Sequence, residues 1–152
     1  MDLQCDDRVR IDLALETLSR TGQLTMRALG SSMLPAILAG DLLTFRACTP
    51  HMLAPGHVVL ARRGDALVAH RLLSCDGALL RLQGDALPCP DLPIATSDLL
   101  GVLVRQERAG QLLPLGGRPW LRRHRLARWV LRRSTVARRA CRRWPRLSAL
   151  AA

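Results

Sequence analysis

The sequence predicts a mainly β domain of the α+β class, with a short N-terminal helix, a mostly antiparallel sheet and a basic C-terminal helix. Short apolar stretches alternate with polar residues, and Gly-Asp or Asp-Gly pairs, which favour tight turns, separate them. Of the 152 residues, 49% are hydrophobic, which suffices for the core of one domain. Aromatic residues make up only 3%, so we expect that core to consist of Leu, Val, Ile and Ala.

The first helix and the strands follow from hydrophobic spacing. Residues 7–20 predict a short helix that ends at Gly22. Its apolar residues recur near helical spacing and are Val9, Ile11, Leu13, Leu15 and Leu18. Alternating residues predict strands over 24–29, 41–46, 58–62, 66–73, 78–83 and 97–104. Between the first two strands, residues 35–38 favour a single helical turn.

All of the excess positive charge lies at the end of the chain. Residues 1–117 hold 11 Arg and 12 acidic residues, whereas residues 118–152 hold 12 Arg and no acidic residue. We therefore expect a domain over 1–107, a linker rich in Gly and Pro over 108–119, and an Arg-rich tail over 120–152. Within the tail, residues 120–144 predict a basic amphipathic helix whose apolar face holds Leu126, Val130, Ala137, Cys141 and Trp144.

The composition argues against several classes of protein. The five cysteines are scattered and form no Cys-x-x-Cys pair, which disfavours a disulfide framework and a zinc site. The N-terminus is acidic where a secretory signal would be basic, and no apolar run approaches the roughly 20 residues that span a bilayer. We expect a cytoplasmic protein, at most peripheral on the inner face of the membrane, with no cofactor and no metal.

The serine box, residues 29–41, is the candidate functional stretch. Gly30 allows a tight or positive-φ backbone, and Pro35 fixes its own φ while favouring an extended Leu34. Such a stretch would hold a hydroxyl group, from Ser31 or Ser32, at a fixed angle in an apolar wall. On these residues alone, an ordinary loop with two serines is the favoured interpretation.

The serine box resembles the nucleophile box of the type I signal peptidases and of the related self-cleaving LexA-type repressors. That box is roughly Gly-x-Ser-Met-x-Pro, then a few apolar residues and Gly-Asp, and this chain matches it at Gly30, Ser32, Met33, Pro35, Gly40 and Asp41. The resemblance implies a signal-peptidase/LexA-like coiled antiparallel β fold and a serine endopeptidase with Ser32 as its nucleophile. It assigns the shaping of the site and of its oxyanion pocket to Gly30, Ser31, Met33 and Pro35.

A serine nucleophile needs a base, and no lysine can supply one, because all 23 basic residues are Arg. His70 lies in a hydrophobic-His-Arg-hydrophobic segment that resembles the endoplasmic-reticulum and archaeal branch of signal peptidases, in which histidine replaces lysine. An imidazole group, whose pKa is ordinarily about 6.5, suits a base at neutral pH. Without the serine box, a surface or core histidine would be the favoured interpretation.

The segment from Gln83 to Asp91 resembles the third element of that branch, Lys-Gly-Asp followed by another acid, with Gln83 in place of the lysine. Asp85 and Asp91 are both candidates for the carboxylate that orients His70. We favour Asp91 as the orienting residue and Asp85 as a residue that shapes the site, because Gly-Asp is also a turn signature. The resemblance covers residues 24–104.

The predicted substrate is a protein or a leader or signal peptide. The residues ahead of the serine box do not supply the transmembrane anchor of signal peptidases, so the enzyme would either cleave an intracellular protein or peptide or reach membranes in another way. Two alternatives remain: a catalytically inactive peptide-binding domain of the same fold, and an Arg-rich protein associated with membranes or nucleic acid. For the basic helix, 120–146, an anionic membrane surface and a protein partner are equally favoured, and nucleic acid ranks below them. A solvated tail is the simplest alternative.

Overall fold

The computed structural model describes residues 3–115, 129–130, 133–134 and 136. In this part of the chain, helix α1 (Leu3–Thr21) precedes eight strands. The strands are β1 (Gln23–Arg27), β2 (Leu42–Ala47), β3 (Val58–Arg63), β4 (Ala66–Asp76), β5 (Leu79–Gln83), β6 (Ile94–Ala95), β7 (Leu99–Arg108) and β8 (Gln111–Leu113). Single 3₁₀ turns lie at Pro50–Met52 and Thr96–Asp98.

The strands form one curled antiparallel sheet, a half-barrel, in the order β1-β2-β7-β3-β4-β5-β6, with β8 added to β7. The predicted mainly β class, antiparallel sheet and N-terminal helix are therefore confirmed. Gly64 and Gly77 take φ values of 60° and 61° in the tight turns that join β3 to β4 and β4 to β5. These turns lie at the predicted Gly-Asp and Asp-Gly pairs, because glycine adopts a positive φ at little cost.

The curl of the sheet buries both faces of β3. Leu60 packs in one apolar cluster with Phe45 and Leu103, whereas Val59 on the same strand packs in a second cluster with Leu72. Successive side chains of a strand point to opposite faces, so β3 contributes to both clusters. The first cluster also contains residues of the serine box, which ties that box to the core.

Three predictions about the elements need correction. Helix α1 buries Ile11, Ala14 and Leu18, whereas Val9 and Leu13, which were expected on its apolar face, are exposed. The sheet does not end at residue 107, because β7 continues to Arg108 and β8 extends the pairing to residue 113, inside the predicted linker. The expected helical turn over 35–38 is a series of turns instead.

The predicted basic helix over 120–144 lies almost entirely outside the described residues. Among the residues that the structure describes, no helix combines the length and the apolar character needed to cross a membrane.

Candidate active site

Ser32 lies in the connection between β1 and β2, directly beside a residue that anchors this connection in the core. Met33 is buried and packs in the first apolar cluster together with Ile37. The backbone N–H of Ile37 donates a hydrogen bond to the carbonyl oxygen of Met33 at 3.0 Å, which closes the turn. Met33 and Ile37 therefore anchor the connection in the core, while Ser32 stays partly exposed.

His70 contacts both Ser32 and Asp91. It lies on β4 opposite Val59, and it is only 5% exposed. Its Nε2 atom is 2.9 Å from the Oγ atom of Ser32, and its Nδ1 atom is 2.5 Å from the Oδ2 atom of Asp91. An ionised carboxylate only accepts hydrogen bonds, so against ionised Asp91 the Nδ1 atom of His70 is the donor. In the tautomer of the neutral ring that fits this contact, Nε2 accepts from the serine hydroxyl.

Asp91 reaches His70 because the loop after β5 folds back on the sheet. Its backbone N–H donates to the carbonyl oxygen of Leu82 at 2.9 Å, which returns the chain to the level of His70. The second carboxylate oxygen, Oδ1, is 3.3 Å from the Nη1 atom of Arg63, whose side chain is half exposed. Asp91 thus accepts hydrogen bonds on both oxygens.

Asp85 forms a buried ion pair with Arg71. Arg71 donates from Nε to Oδ1 at 2.9 Å and from Nη2 to Oδ2 at 2.6 Å, and from Nη1 to the carbonyl oxygen of Gly56 at 2.7 Å. Both residues are almost fully buried. Because neighbours on a strand point to opposite faces, β4 directs His70 towards Ser32 and Arg71 towards Asp85.

The segment that carries Asp85 also holds the backbone of Ser32. The N–H of Ala86 donates to the carbonyl oxygen of Ser32 at 2.9 Å. A Cβ atom at Gly84 would lie only 2.7 Å from that oxygen, so the close approach of the two segments requires glycine. The Arg71–Asp85 pair therefore fixes the segment against which the serine rests.

Asp41, at the other end of the serine box, is the centre of a second buried network. Its carboxylate accepts from Arg108 Nε and Nη2 and from Gln106 Nε2, each at 2.8 Å, and from the backbone N–H of Leu38 at 2.9 Å. Burial raises the pKa of Asp41, but the hydrogen bonds from Arg108, Leu38 and Gln106 lower it by more, so the pKa lies below its ordinary value. Gln106 and Arg108 also donate to the carbonyl oxygen of Ala36, which ties the box to β7.

The other predicted site residues have simpler surroundings. Gly30 does not have a positive φ, and a Cβ atom there would meet nothing within 4 Å, so the expected conformational need for glycine is wrong at this position. The positive φ in the serine box belongs to Gly40, at 97°. The Leu34–Pro35 peptide bond is cis. Ser31 is partly buried, and its carbonyl oxygen accepts from the N–H of Leu34 at 3.3 Å.

Five residues of the site were not predicted from the sequence. They are Arg63, Arg71, Gly84, Gln106 and Arg108. One signal was available for Arg71, because a charged residue in the middle of an apolar strand needs a buried partner of opposite charge.

A cleft of about 220 Å³ opens beside the Ser32–His70 pair. One wall is the end of β1 with residues 28–30, and the other is the first half of β4, from Leu67 to His70. In the described sheet, residues 66–70 of β4 pair only with β3, because pairing with β5 begins at Arg71. β1 is an end strand of the sheet. Both walls therefore present strand edges.

Within the described ranges, no three His, Cys, Asp or Glu side chains are close enough together to hold a metal ion. No family model matches this chain, and no curated protein matches it either.

Proposed function

We propose that the protein is a serine endopeptidase of the signal-peptidase/LexA-like type, in which Ser32 is the nucleophile, His70 the general base and Asp91 the residue that orients His70. The observation that carries this proposal is the continuous chain of hydrogen bonds from Ser32 through His70 to Asp91, with heavy-atom distances of 2.9 and 2.5 Å. A nucleophile in contact with a base, and a base held by a third group, is the arrangement that activates a hydroxyl for attack.

In the first half of the reaction, the Ser32 oxygen attacks the carbonyl carbon of a peptide bond while His70 Nε2 takes the hydroxyl proton. The tetrahedral intermediate then collapses, the C–N bond breaks, and His70 returns the proton to the leaving amine. In the second half, a water molecule gives a proton to His70 and attacks the ester on Ser32. The acid product leaves, and the serine regains its proton.

Asp91 would keep the Nδ1 proton on the ring and stabilise the imidazolium formed at each proton transfer. The backbone N–H of Ser32 is our candidate donor for the negative oxygen of the intermediate. Gly30 has no side-chain hydroxyl that could serve as a second donor to this oxygen, so Ser31 is the candidate for a second donor.

The substrate that this cleft favours is an extended peptide. Both walls present strand edges, and a peptide laid between them could form backbone hydrogen bonds as an added strand. The cleft is small and lined by apolar residues such as Leu67 and Ala69, which favours small apolar side chains next to the cleaved bond. Asp85 would take no part in proton transfer. Its role would be to fix the segment that holds the Ser32 backbone.

The test is covalent labelling of the full chain by a fluorophosphonate, with the modified residue located by mass spectrometry. We expect labelling at Ser32, none in Ser32→Ala, and a labelling rate that falls by at least about 10²-fold in His70→Ala and Asp91→Asn. His51→Ala is the matched control, because His51 is an exposed histidine outside the site, and its rate should equal that of the wild type.

Equal labelling of Ser32 in the wild type and in His70→Ala would contradict the proposal, because the serine would then need no base. If the probe is excluded from the cleft, a mixed peptide library with mass-spectrometric detection replaces it. Absence of any Ser32-dependent cleavage as well as any labelling would overturn the peptidase and leave the peptide-binding domain as the better interpretation.

A further inference from the structure

A second apolar groove lies next to the cleft that contains Ser32 and His70. Its volume is about 690 Å³, and its walls are α1, β1 and the turn from β3 to β4. Two leucines in these walls are largely exposed, namely Leu13 on α1, at 62%, and Leu29 after β1, at 77%. Single exposed leucines are ordinary, but two on the walls of one groove form an apolar surface that favours a bound partner.

The groove and the cleft are continuous. Met26, Arg27, Leu29 and Leu67 line both of them. Along β1, the first residues line only the groove and those nearest the serine line the cleft. The same order holds on β4, where Ala66 lines the groove and His70 the cleft. Both strands therefore lead from the groove towards the Ser32–His70 pair.

We propose that this groove binds an apolar segment of the polypeptide substrate, about four residues away from the bond that is cleaved. This inference rests on the proposed peptidase function, because the cleft supplies the rest of the contact. From Ala66 to His70 is four residues of strand, which spans about 13 Å at about 3.3 Å per residue. An extended substrate that has its reactive bond at His70 therefore reaches the groove after about the same number of residues.

The strand edges favour a polypeptide over a lipid as the occupant. The path from groove to cleft runs beside the outer edge of β1 and the part of β4 that does not pair with β5. Exposed strand edges carry backbone groups that need hydrogen-bond partners. A peptide supplies such partners as well as apolar side chains, whereas an acyl chain supplies only apolar contact.

The experiment measures binding to the full-length Ser32→Ala protein by fluorescence anisotropy, so it does not depend on cleavage. The probes are labelled peptides with one alanine-rich core. One peptide has a leucine segment about four residues before the centre of the core, a second has it about four residues after, and a third has serines in both places. We expect one leucine peptide to bind at least about tenfold more tightly than the serine peptide.

Variants on the Ser32→Ala background locate that preference. Leu13→Ser should remove it, because Leu13 lines the groove and not the cleft. Leu112→Ser is the matched control, since Leu112 is a similarly exposed leucine, at 66%, on β8. It should keep the full preference. Circular dichroism of both variants establishes that the fold is retained.

Equal affinity for the leucine and serine peptides overturns the inference, and so does an equal loss in the Leu13 and Leu112 variants. Sedimentation tests the competing occupant: self-association that Leu13→Ser abolishes, without any leucine preference, would assign the groove to a second copy of the chain. The two proposals fail separately. Labelling at Ser32 without a leucine preference refutes only the groove. A Leu13-dependent preference with neither labelling nor Ser32-dependent cleavage refutes the peptidase and leaves a groove that binds peptides.

Discussion

The close approach of Gly84 to Ser32 gives the most specific prediction about the site. In Gly84→Ala, the new Cβ atom would lie 2.7 Å from the carbonyl oxygen of Ser32 and 2.9 Å from the Cγ atom of Leu87. Ordinary contacts begin at 3.4 Å, so the two backbone segments must separate by about 0.7 Å. The leucine side chain can rotate away, but the serine carbonyl oxygen belongs to the backbone that carries the nucleophile.

A displacement of this size has two expected effects. Overpacking should lower the free energy of unfolding by about 1–3 kcal/mol. Moving a nucleophile by about 1 Å can cost about 10²-fold in rate, so we expect the labelling rate of Ser32 to fall by about 10- to 10²-fold. Fluorophosphonate labelling measures the rate, and urea denaturation measures the stability.

Gly101→Ala is the matched control for this prediction. Its Cβ atom would also lie 2.7 Å from a backbone carbonyl oxygen, that of Arg46, but in the pairing of β7 with β2. The control should therefore lose comparable stability while Ser32 keeps its reactivity. Labelling of Gly84→Ala as fast as the wild type would contradict this steric effect on Ser32, and so would an equal loss of reactivity in Gly101→Ala.

Two further predictions concern the buried charges. Asp85→Asn should lower the free energy of unfolding by about 3–5 kcal/mol, because it leaves the Arg71 guanidinium buried without its carboxylate. The double variant Arg71→Met/Asp85→Leu should recover much of this loss, as measured by urea denaturation. Asp41 should make the free energy of unfolding fall on acidification. Hydrogen bonds from Arg108, Leu38 and Gln106 hold the folded-state pKa of Asp41 below its ordinary value. Its contribution to stability is therefore present above about pH 4 and is lost as the pH falls through the lowered pKa. Urea denaturation at a series of pH values should show this loss, and a smaller one in Asp41→Asn.

Each of these two predictions has a control. Arg62→Met breaks an exposed pair with Asp98 at 3.3 Å and should change stability by less than about 1 kcal/mol. If it costs as much as Asp85→Asn, burial is not the reason for the loss. For Asp41, Asp12→Asn removes an exposed acid from α1. An acid dependence in Asp41→Asn as steep as in Asp12→Asn would contradict the assignment to Asp41.

Strands β3, β4 and β5 were predictable from the sequence because their signals are local, whereas the short strands β6 and β8 were not predicted. Alternating residues and Gly-Asp or Asp-Gly pairs specify β3, β4 and β5 without knowledge of their neighbours. The buried face of α1 was not predictable in this way, because several apolar residues are spaced so that any of them could lie on it. The helix buries Ala14, whereas Leu13 remains exposed, and only the position of the sheet decides between them.

Of the candidate site, the pairing of Ser32 with His70 was proposed from motifs, whereas the choice between Asp85 and Asp91 depends on long-range folding. Asp91 is brought back to His70 by the loop that Leu82 anchors, and Asp85 is turned inward to Arg71. Neither contact is signalled by a pattern in the neighbouring sequence. The role of Arg108 was missed for a related reason, since Gly and Pro nearby favoured a linker where the chain continues into β8.

The position of β7 in the sheet sets the order in which the two halves of the site can be joined during translation. Ser32 belongs to the β1–β2 part of the sheet and His70 to the β3–β4 part, and β7 is the strand that joins these parts. Ser32 and His70 both precede β7 in the chain, so a ribosome releases β7 after them, and Arg108, which ties the serine box to β7, follows at the end of that strand. At about 5–20 residues per second, a nascent chain therefore carries the hydroxyl of Ser32 and the imidazole of His70 for seconds before β7 joins the two parts of the sheet. Of the eight described strands, the one that joins the serine's part of the sheet to the histidine's part is thus the last but one to be made.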